Sequence, residues 1–404
     1  MPPEIGYSLC HLSKTQNQQT YDTAVTLSNP NLLIVVPILR RATYAPDTLT
    51  LSVREGGVTM PSFKNCGLSA RAALLGCLVG TLLMLISGTA AAQYQLTNLV
   101  SNQVGQAKHT DPLLVNGWGL VHGTGPFWIS DEGSGWSTLY DGNGIKQGLE
   151  VLVPSVGSGT GSPTGIVING SQDFQVQGWA SIFLFATLDG TISGWAPQSN
   201  PNASIIAVTT PGAVYTGLAI TSYTSGNFLF AADNAGNKVD IYDANFNLLT
   251  SFTDSTVPTG FSVFGIQDFG GLVYVSYAST SGASGGYIDI YSEAGVFLKR
   301  LAQGSPLNQP WGFAVAPKNF GTLSNTLLIS NNTNSGTING FNILTGQFVG
   351  TIKDSTNAAI HIDQLWGIEF GGGTSKNGAV NHLYFTAGPD NNVAGTFGKI
   401  VPLS

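Results

Sequence analysis

From Gln93 onward the chain repeats one order of hydrophobic and polar positions. A short apolar run opens on Gly and an aliphatic residue. A second run is almost continuously apolar and ends on a polar residue. Its examples are Phe127-Trp128-Ile129-Ser130-Asp131, Phe228-Leu229-Phe230-Ala231-Ala232-Asp233, Leu327-Leu328-Ile329-Ser330-Asn331 and Leu383-Tyr384-Phe385-Thr386. Such runs read as strands covered on both faces. A third run alternates: Lys238-Val239-Asp240-Ile241-Tyr242, Tyr287-Ile288-Asp289-Ile290-Tyr291 and Thr337-Ile338-Asn339-Gly340-Phe341. Period-two alternation predicts strands with one polar face. After a turn rich in Asn, Gly and Asp, a fourth run closes each unit, as in Phe297-Leu298-Lys299-Arg300-Leu301.

The opening run occurs six times. The copies are Val115-Asn116-Gly117-Trp118-Gly119-Leu120, Pro163-Thr164-Gly165-Ile166, Tyr215-Thr216-Gly217-Leu218, Val263-Phe264-Gly265-Ile266, Pro310-Trp311-Gly312-Phe313 and Leu365-Trp366-Gly367-Ile368. Their shared glycines lie 46, 52, 48, 47 and 55 residues apart. Four strands per unit at that period predict a β-propeller, because the coils of a β-solenoid are shorter. The last unit offers only three strands before Ser404. Tyr94–Val100 ahead of the first unit resembles the fourth runs elsewhere. The expectation is therefore an all-β, six-bladed propeller of four-stranded antiparallel blades over residues 93–404. The N-terminal strand completes the last blade and hides the open edges. The Gly/Ser tract 157–162, residues 317–322 and residues 371–378 read as surface loops.

Composition supports this. Glycine is abundant at 52 residues and charged residues are only 9%, a balance that disfavours both disorder and charged helices. All three cysteines, Cys10, Cys66 and Cys77, fall in the first 77 residues, so the repeats hold no disulfide and no thiolate metal site. After Gln93 there are 18 acidic and 9 basic side chains, a net charge of −9. No basic cluster exists, which argues against nucleic acid as a partner.

Residues 60–92 read as a secretory signal peptide. Lys64 and Arg71 precede an apolar run from Ala72 to Gly88, and Thr89-Ala90-Ala91-Ala92 supplies small residues for cleavage before Gln93. The competing reading is an uncleaved membrane anchor, the only membrane contact expected. Localisation would be secreted or periplasmic. Residues 1–59 are expected to be a disordered extension, or to precede a true start at Met60.

The segment Asp111-Pro112-Leu113-Leu114-Val115-Asn116-Gly117-Trp118-Gly119-Leu120, with Asn308-Gln309-Pro310-Trp311-Gly312-Phe313 and Asp363-Gln364-Leu365-Trp366-Gly367-Ile368, resembles an uncharacterised family of secreted bacterial proteins grouped with six-bladed, TolB-like propellers. More distantly, the blade openings resemble NHL-repeat proteins. The resemblance implies the propeller and the signal peptide, and it implies no activity.

In a propeller, the loops leading into the first strand and the loops between second and third strands share one face. Here those loops supply Asn116, Asp131, Asp233, Asn308, Asn331, His361, Asp363 and Asp390 as candidate ligand-binding residues. An oxygen-rich mouth suits a sugar, a peptide or a hard cation such as Ca²⁺. The competing reading is that Asp and Asn terminate strands and cap turns. Trp118, Trp311 and Trp366 read either as an aromatic platform or as packing between blades, the latter being preferred. Gly282-Ala283-Ser284-Gly285-Gly286 matches a hydrolase elbow in letters only, because no helix follows. The leading expectation is a monomeric, non-catalytic module that binds a protein or a small-molecule or carbohydrate ligand through its polar mouth. The second is a metal-dependent hydrolase or lactonase of the gluconolactonase type, with His361 as base.

Overall fold

Each Gly-aliphatic stretch forms the innermost strand of one sheet. The computed structural model describes residues 93–223 and 226–403, together with two strands, Ala24–Asn29 and Leu32–Pro37, that pair antiparallel with each other. The signal segment 60–92 and the remainder of residues 1–59 lie outside the described residues. Five sheets have four antiparallel strands in chain order. Their inner strands are Gly117–His122, Pro163–Ile168, Tyr215–Tyr223, Phe261–Phe269 and Pro310–Val315 (blades 1 to 5). Blade 6 takes Leu365–Phe370, Leu383–Ala387 and Thr396–Pro402 from the C-terminal part of the chain, and Tyr94–Ser101 pairs antiparallel beside Thr396–Pro402. The expected closure is therefore observed. A short parallel strand, His109–Thr110, adds a fifth member to that blade. The sequence reading did not contain it.

All six inner strands bulge at the motif. In blade 1, Gly117 pairs with Asp131 and Leu120 with Ile129, so Trp118 and Gly119 together oppose Ser130. The same offset places Phe264-Gly265 opposite Ser276, Trp311-Gly312 opposite Ser330 and Trp366-Gly367 opposite Thr386. A bulge turns the extra residue out of the ladder, and the facing hydroxyl takes up the freed N–H. Gly265, Gly312 and Gly367 donate to Ser276, Ser330 and Thr386 at 2.8, 2.7 and 2.9 Å. Those hydroxyls in turn donate to a carbonyl of the next blade's inner strand: Pro310, Trp366 and Trp118, at 2.7, 2.7 and 2.6 Å. Blades 2 and 3 carry Ala186 and Ala232 at the facing position. There the residue before glycine is itself a threonine, and Thr164 and Thr216 donate to Tyr215 and Phe264, both at 2.7 Å.

Space requires glycine at five of these bulges, whereas at Gly217 an added Cβ would come no nearer than 3.1 Å to Ile266 Cγ2. A Cβ at Gly265 would lie 2.0 Å from the Trp311 carbonyl oxygen, and one at Gly165 would lie 2.3 Å from the Leu218 nitrogen.

The blades stack face to face, with apolar clusters in the seams. The seam of blades 6 and 1 buries Leu99, Val100, Leu114, Phe127, Ile129 and Phe397. The alternating third strands differ from their sequence reading. Asp240, Asp289 and Asn339 were expected on polar faces, yet all are buried. Both faces of a blade are covered by neighbours, so these groups are held by internal partners. Asp240 accepts from Tyr215 and Lys238 at 2.9 and 2.7 Å. Asp289 accepts from Arg300 Nε at 2.9 Å. Residues 317–322 also do more than cover the surface. Phe320 is buried against the Tyr94 ring at 4.9 Å, and the Tyr94 hydroxyl donates to the Phe320 carbonyl at 2.9 Å. That loop clasps the first residue of the closing strand.

Two outcomes follow. A chain lacking Tyr94–Ser101 loses the burial of Tyr94, Leu99 and Val100, about 6 kcal/mol. Its melting temperature should fall by on the order of 10 °C, and an unchanged melt would contradict the closure. Gly265→Ala should destabilise by about 3 kcal/mol through backbone overlap. Gly148→Ala, with open space around the added Cβ, should be neutral in the same urea titration.

Candidate functional site

The central channel is stopped at one level by aromatic side chains from four blades. Trp118, Trp311 and Trp366 are buried and meet across the axis with Phe264. Trp118 and Trp366 stack at 3.6 Å, and Trp311 meets each edge-on at 6.0 and 5.7 Å. Trp311 Nε1 donates to the Thr216 carbonyl and Trp366 Nε1 to Asn116 Oδ1, both at 2.9 Å. Trp118 Nε1 has no partner among the described residues. The indoles therefore plug the channel, which is neither an exposed platform nor packing only between adjacent blades. Along the inner strands a cavity of about 40 Å³ remains, lined by the motif glycines with Leu120, Ile166, Leu218 and Ile368. That space suits a few waters, not a ligand of ordinary size.

The candidate residues are dispersed around the mouth, and several are occupied by structural bonds. Asn116 is buried with φ 48°, and its Nδ2 donates to Glu132 at 2.7 Å. Gln309 and Gln364 occupy the same step of blades 5 and 6 with φ 52° and 47°. The carbonyls of all three accept an N–H from just beyond the second strand, those of Glu132, Asn332 and Gly388. This left-handed turn favours Asn over most residues, so the signal at Asn116 is conformational. Asp233 Oδ1 accepts from the backbone N–H groups of Val214 and Gly236, both at 3.0 Å. Asp363 Oδ2 accepts from Asp390 N–H at 3.1 Å, and Asp390 Oδ2 accepts from Gln103 at 3.0 Å. His361 is exposed, with Nδ1 2.8 Å from Ser335 Oγ and 3.2 Å from the Ser335 carbonyl. According to the ring's tautomer, Nδ1 either accepts from the Ser335 hydroxyl or donates to the Ser335 carbonyl. Among the described residues no group of three or more His, Cys, Asp or Glu side chains is placed to share a metal ion.

Asn308 and Asn331 are brought together. Asn331 is buried, and its Oδ1 accepts the Asn308 N–H at 3.0 Å. Both line a cleft of about 390 Å³ on the mouth face between blades 4 and 5. Its walls are the loop after Leu272–Ser279, the connection Gly304–Gln309 and the loop after Leu327–Asn331. Ser284 lies on its edge, so the elbow-like letters mark a cleft loop and not a nucleophile elbow. The sequence reading missed Ser305, Thr333 and Thr337. For Thr333 and Thr337 the available signal is the neutral polar run Thr333-Asn334-Ser335-Gly336-Thr337 just after the second strand of blade 5.

Asp131 stands apart. It is fully buried, and neither carboxylate oxygen makes a well-formed hydrogen bond among the described residues, the Thr138 hydroxyl and N–H lying nearby but out of good geometry. Burial first, and then the nearby Asp111 carboxylate, push its pKa well above the usual carboxylate range, against the pull of Thr138 and Lys146. A carboxyl raised in the fold stabilises it while protonated. That contribution is complete below the unfolded pKa and is lost as pH rises toward the folded value. Unfolding free energy should therefore fall with pH, from about pH 4 upward, more steeply in the native chain than in Asp131→Asn. The difference is about 1.4 kcal/mol per pH unit. Equal slopes in urea titrations at several pH values would show that Asp131 is ionised in the fold.

No protein-family model matches the chain. It is 30% identical over 334 residues to the uncharacterised protein R648 of Acanthamoeba polyphaga mimivirus, covering 77% of this chain and 81% of that protein. It is 27% identical over 335 residues to protein L690 of the same virus, covering 77% and 87%. Among solved structures, virginiamycin B lyase from Staphylococcus aureus is 12% identical over 77% of this chain and 99% of that one, with a TM-score of 0.44. Hydrazine synthase of Kuenenia stuttgartiensis is 11% identical over 70% and 76%, with a TM-score of 0.45. Likenesses this distant carry no inference about what this chain does. The viral relatives overturn the expected membership of a secreted bacterial family. The residues behind that resemblance, above all Trp118-Gly119 and its counterparts, follow from bulge geometry and channel filling. They report the architecture and not the lineage. The chain belongs to the family of the mimivirus protein R648.

Proposed function

We propose that this propeller is a non-catalytic binding module that takes its ligand at the mouth face, in the cleft between blades 4 and 5. One observation carries the reading. The cleft is of ligand size, about 390 Å³, no Asp, Glu, His, Lys, Arg or Cys lines it, and His361 stands behind its wall, bonded to the lining residue Ser335. Small-molecule sites are concave, with a few placed polar groups, whereas acid–base or nucleophilic catalysis needs titratable groups within reach of the substrate. The alternative, a metal-dependent hydrolase, has less support. Asp131 is buried in a seam, Asp233 holds backbone N–H groups, and Asp363 and Asp390 meet each other without a third acidic or imidazole ligand among the described residues.

Crystals soaked with small fragments of mixed charge should show density in the blade 4–5 cleft ahead of any other surface. Fragments that gather elsewhere and leave this cleft empty would overturn the reading. So would Ca²⁺- or Zn²⁺-dependent lactone hydrolysis that Asp363→Asn or Asp390→Asn abolishes.

A further inference from the structure

We infer that the blade 4–5 cleft selects a neutral, polyhydroxylated ligand of the size of a disaccharide. This rests on the cleft being the binding site and adds the chemical class of what it takes. The argument starts from the floor. Asn331 and Asn339 are both buried. Asn331 Nδ2 donates to the Pro306 carbonyl at 2.8 Å and to Thr337 Oγ1 at 3.3 Å. Asn339 Nδ2 donates to the same two atoms at 3.4 and 3.2 Å. The remaining amide oxygens are held as well, Asn331 Oδ1 by the Asn308 N–H and Asn339 Oδ1 by the Thr351 hydroxyl at 2.7 Å. Two buried amides thus fix Thr337, which lines the cleft.

That arrangement sets the polarity of Thr337. A hydroxyl has one proton and two lone pairs. Two N–H groups already approach its oxygen, so its role toward a ligand is to donate. The rim supplies the complement. The Ser284 and Ser305 hydroxyls and the Asn308 side-chain amide line the same cleft, and none makes a side-chain hydrogen bond among the described residues. The wall therefore offers one fixed donor together with groups that give and accept freely. Only Pro306 and Leu307 are apolar, and Leu307 is buried.

Other ligand classes fit less well. An anion would lack the cationic partner that makes charge-assisted bonds strong, and a cation would lack a carboxylate. A mainly apolar molecule would leave the polar rim desolvated and unpaired. Sugar hydroxyls donate and accept at once, and can meet each of these groups in turn. A volume of about 390 Å³ lies in the range of small-molecule sites.

The test uses the full chain and isothermal titration calorimetry with maltose, trehalose and N,N′-diacetylchitobiose as neutral probes. Glucosamine and glucuronate are the charged ones. At least one neutral disaccharide should saturate the protein and outbind both charged sugars by tenfold or more. Asn308→Ala, which breaks no internal side-chain bond, should weaken that binding about tenfold. Thr337→Val should do the same, and Thr337→Ser, which restores the hydroxyl, should recover affinity to within threefold. Equal affinity for a charged sugar, or binding indifferent to both Asn308→Ala and Thr337→Val, would overturn the assignment. If no neutral disaccharide binds at millimolar concentration while soaked fragments still occupy the cleft, the ligand class fails and the binding module stands. If fragments leave the cleft empty, both fail.

Discussion

Six strands converge on one axis, and at the level where they cross there is no room for a side chain between neighbours. At each crossing one residue of the inner strand lies against the backbone of the next, as Gly265 lies against the Trp311 carbonyl and Gly367 against that of Trp118. The ring has no end at which this crowding relaxes, because blade 6 meets blade 1 on the same terms as its other neighbour. The bulge that accommodates the crossing frees an N–H, and a buried free N–H is costly. A hydroxyl answers it and then reaches the neighbouring blade's carbonyl. The same atom thus satisfies one blade and fastens it to the next. This double role is seen in blades 4, 5 and 6; in blades 2 and 3 Thr164 and Thr216 make the link to the next carbonyl alone, and blade 1 makes neither. Its matching hydroxyl, Ser130, has no partner among the described residues.

This constraint explains two correlated features of the sequence. Where the residue before the motif glycine is aromatic, as in blades 4, 5 and 6, the facing residue is Ser or Thr. Where it is threonine, as in blades 2 and 3, the facing residue is alanine. Either strand can supply the hydroxyl, and only one needs to. Freed from that duty, the pre-glycine position of four blades projects aromatic rings toward the axis. There they fill the channel with edge-on and stacked contacts, which such rings prefer.

The plugged channel moves the functional question to the mouth face. A cleft of ligand size lies there between blades 4 and 5, where a buried amide pair orders a polar wall. The acidic residues that drew attention as ligands sit mainly at turns and seams, where backbone N–H groups or neighbouring loops hold them. Asp131 is the outlier, a carboxyl buried with no well-formed hydrogen bond among the described residues. Such a group is costly to ionise.

How much was legible follows from the physics of each feature. Periodicity reports which faces are covered, so six units of four strands were readable from residue order. The closing role of Tyr94–Val100 was readable too, because a blade short of one strand must find it elsewhere in the chain. Burial of Asp240, Asp289 and Asn339 was not readable, since alternation looks the same whether the polar side meets water or a hydrogen-bonded seam. The roles of Asn116 and Asp233 were hidden likewise, because the residues that favour left-handed turns and cap strand ends are also those that bind ligands. By itself the sequence determined the number of blades, their strands and the positions where glycine is obligatory, all of which depend on local pattern and repeat. Only the tertiary structure decided which polar groups share a cleft. Ser284, Asn308 and Thr337 lie on separate loops, and their proximity exists only once two blades stand side by side.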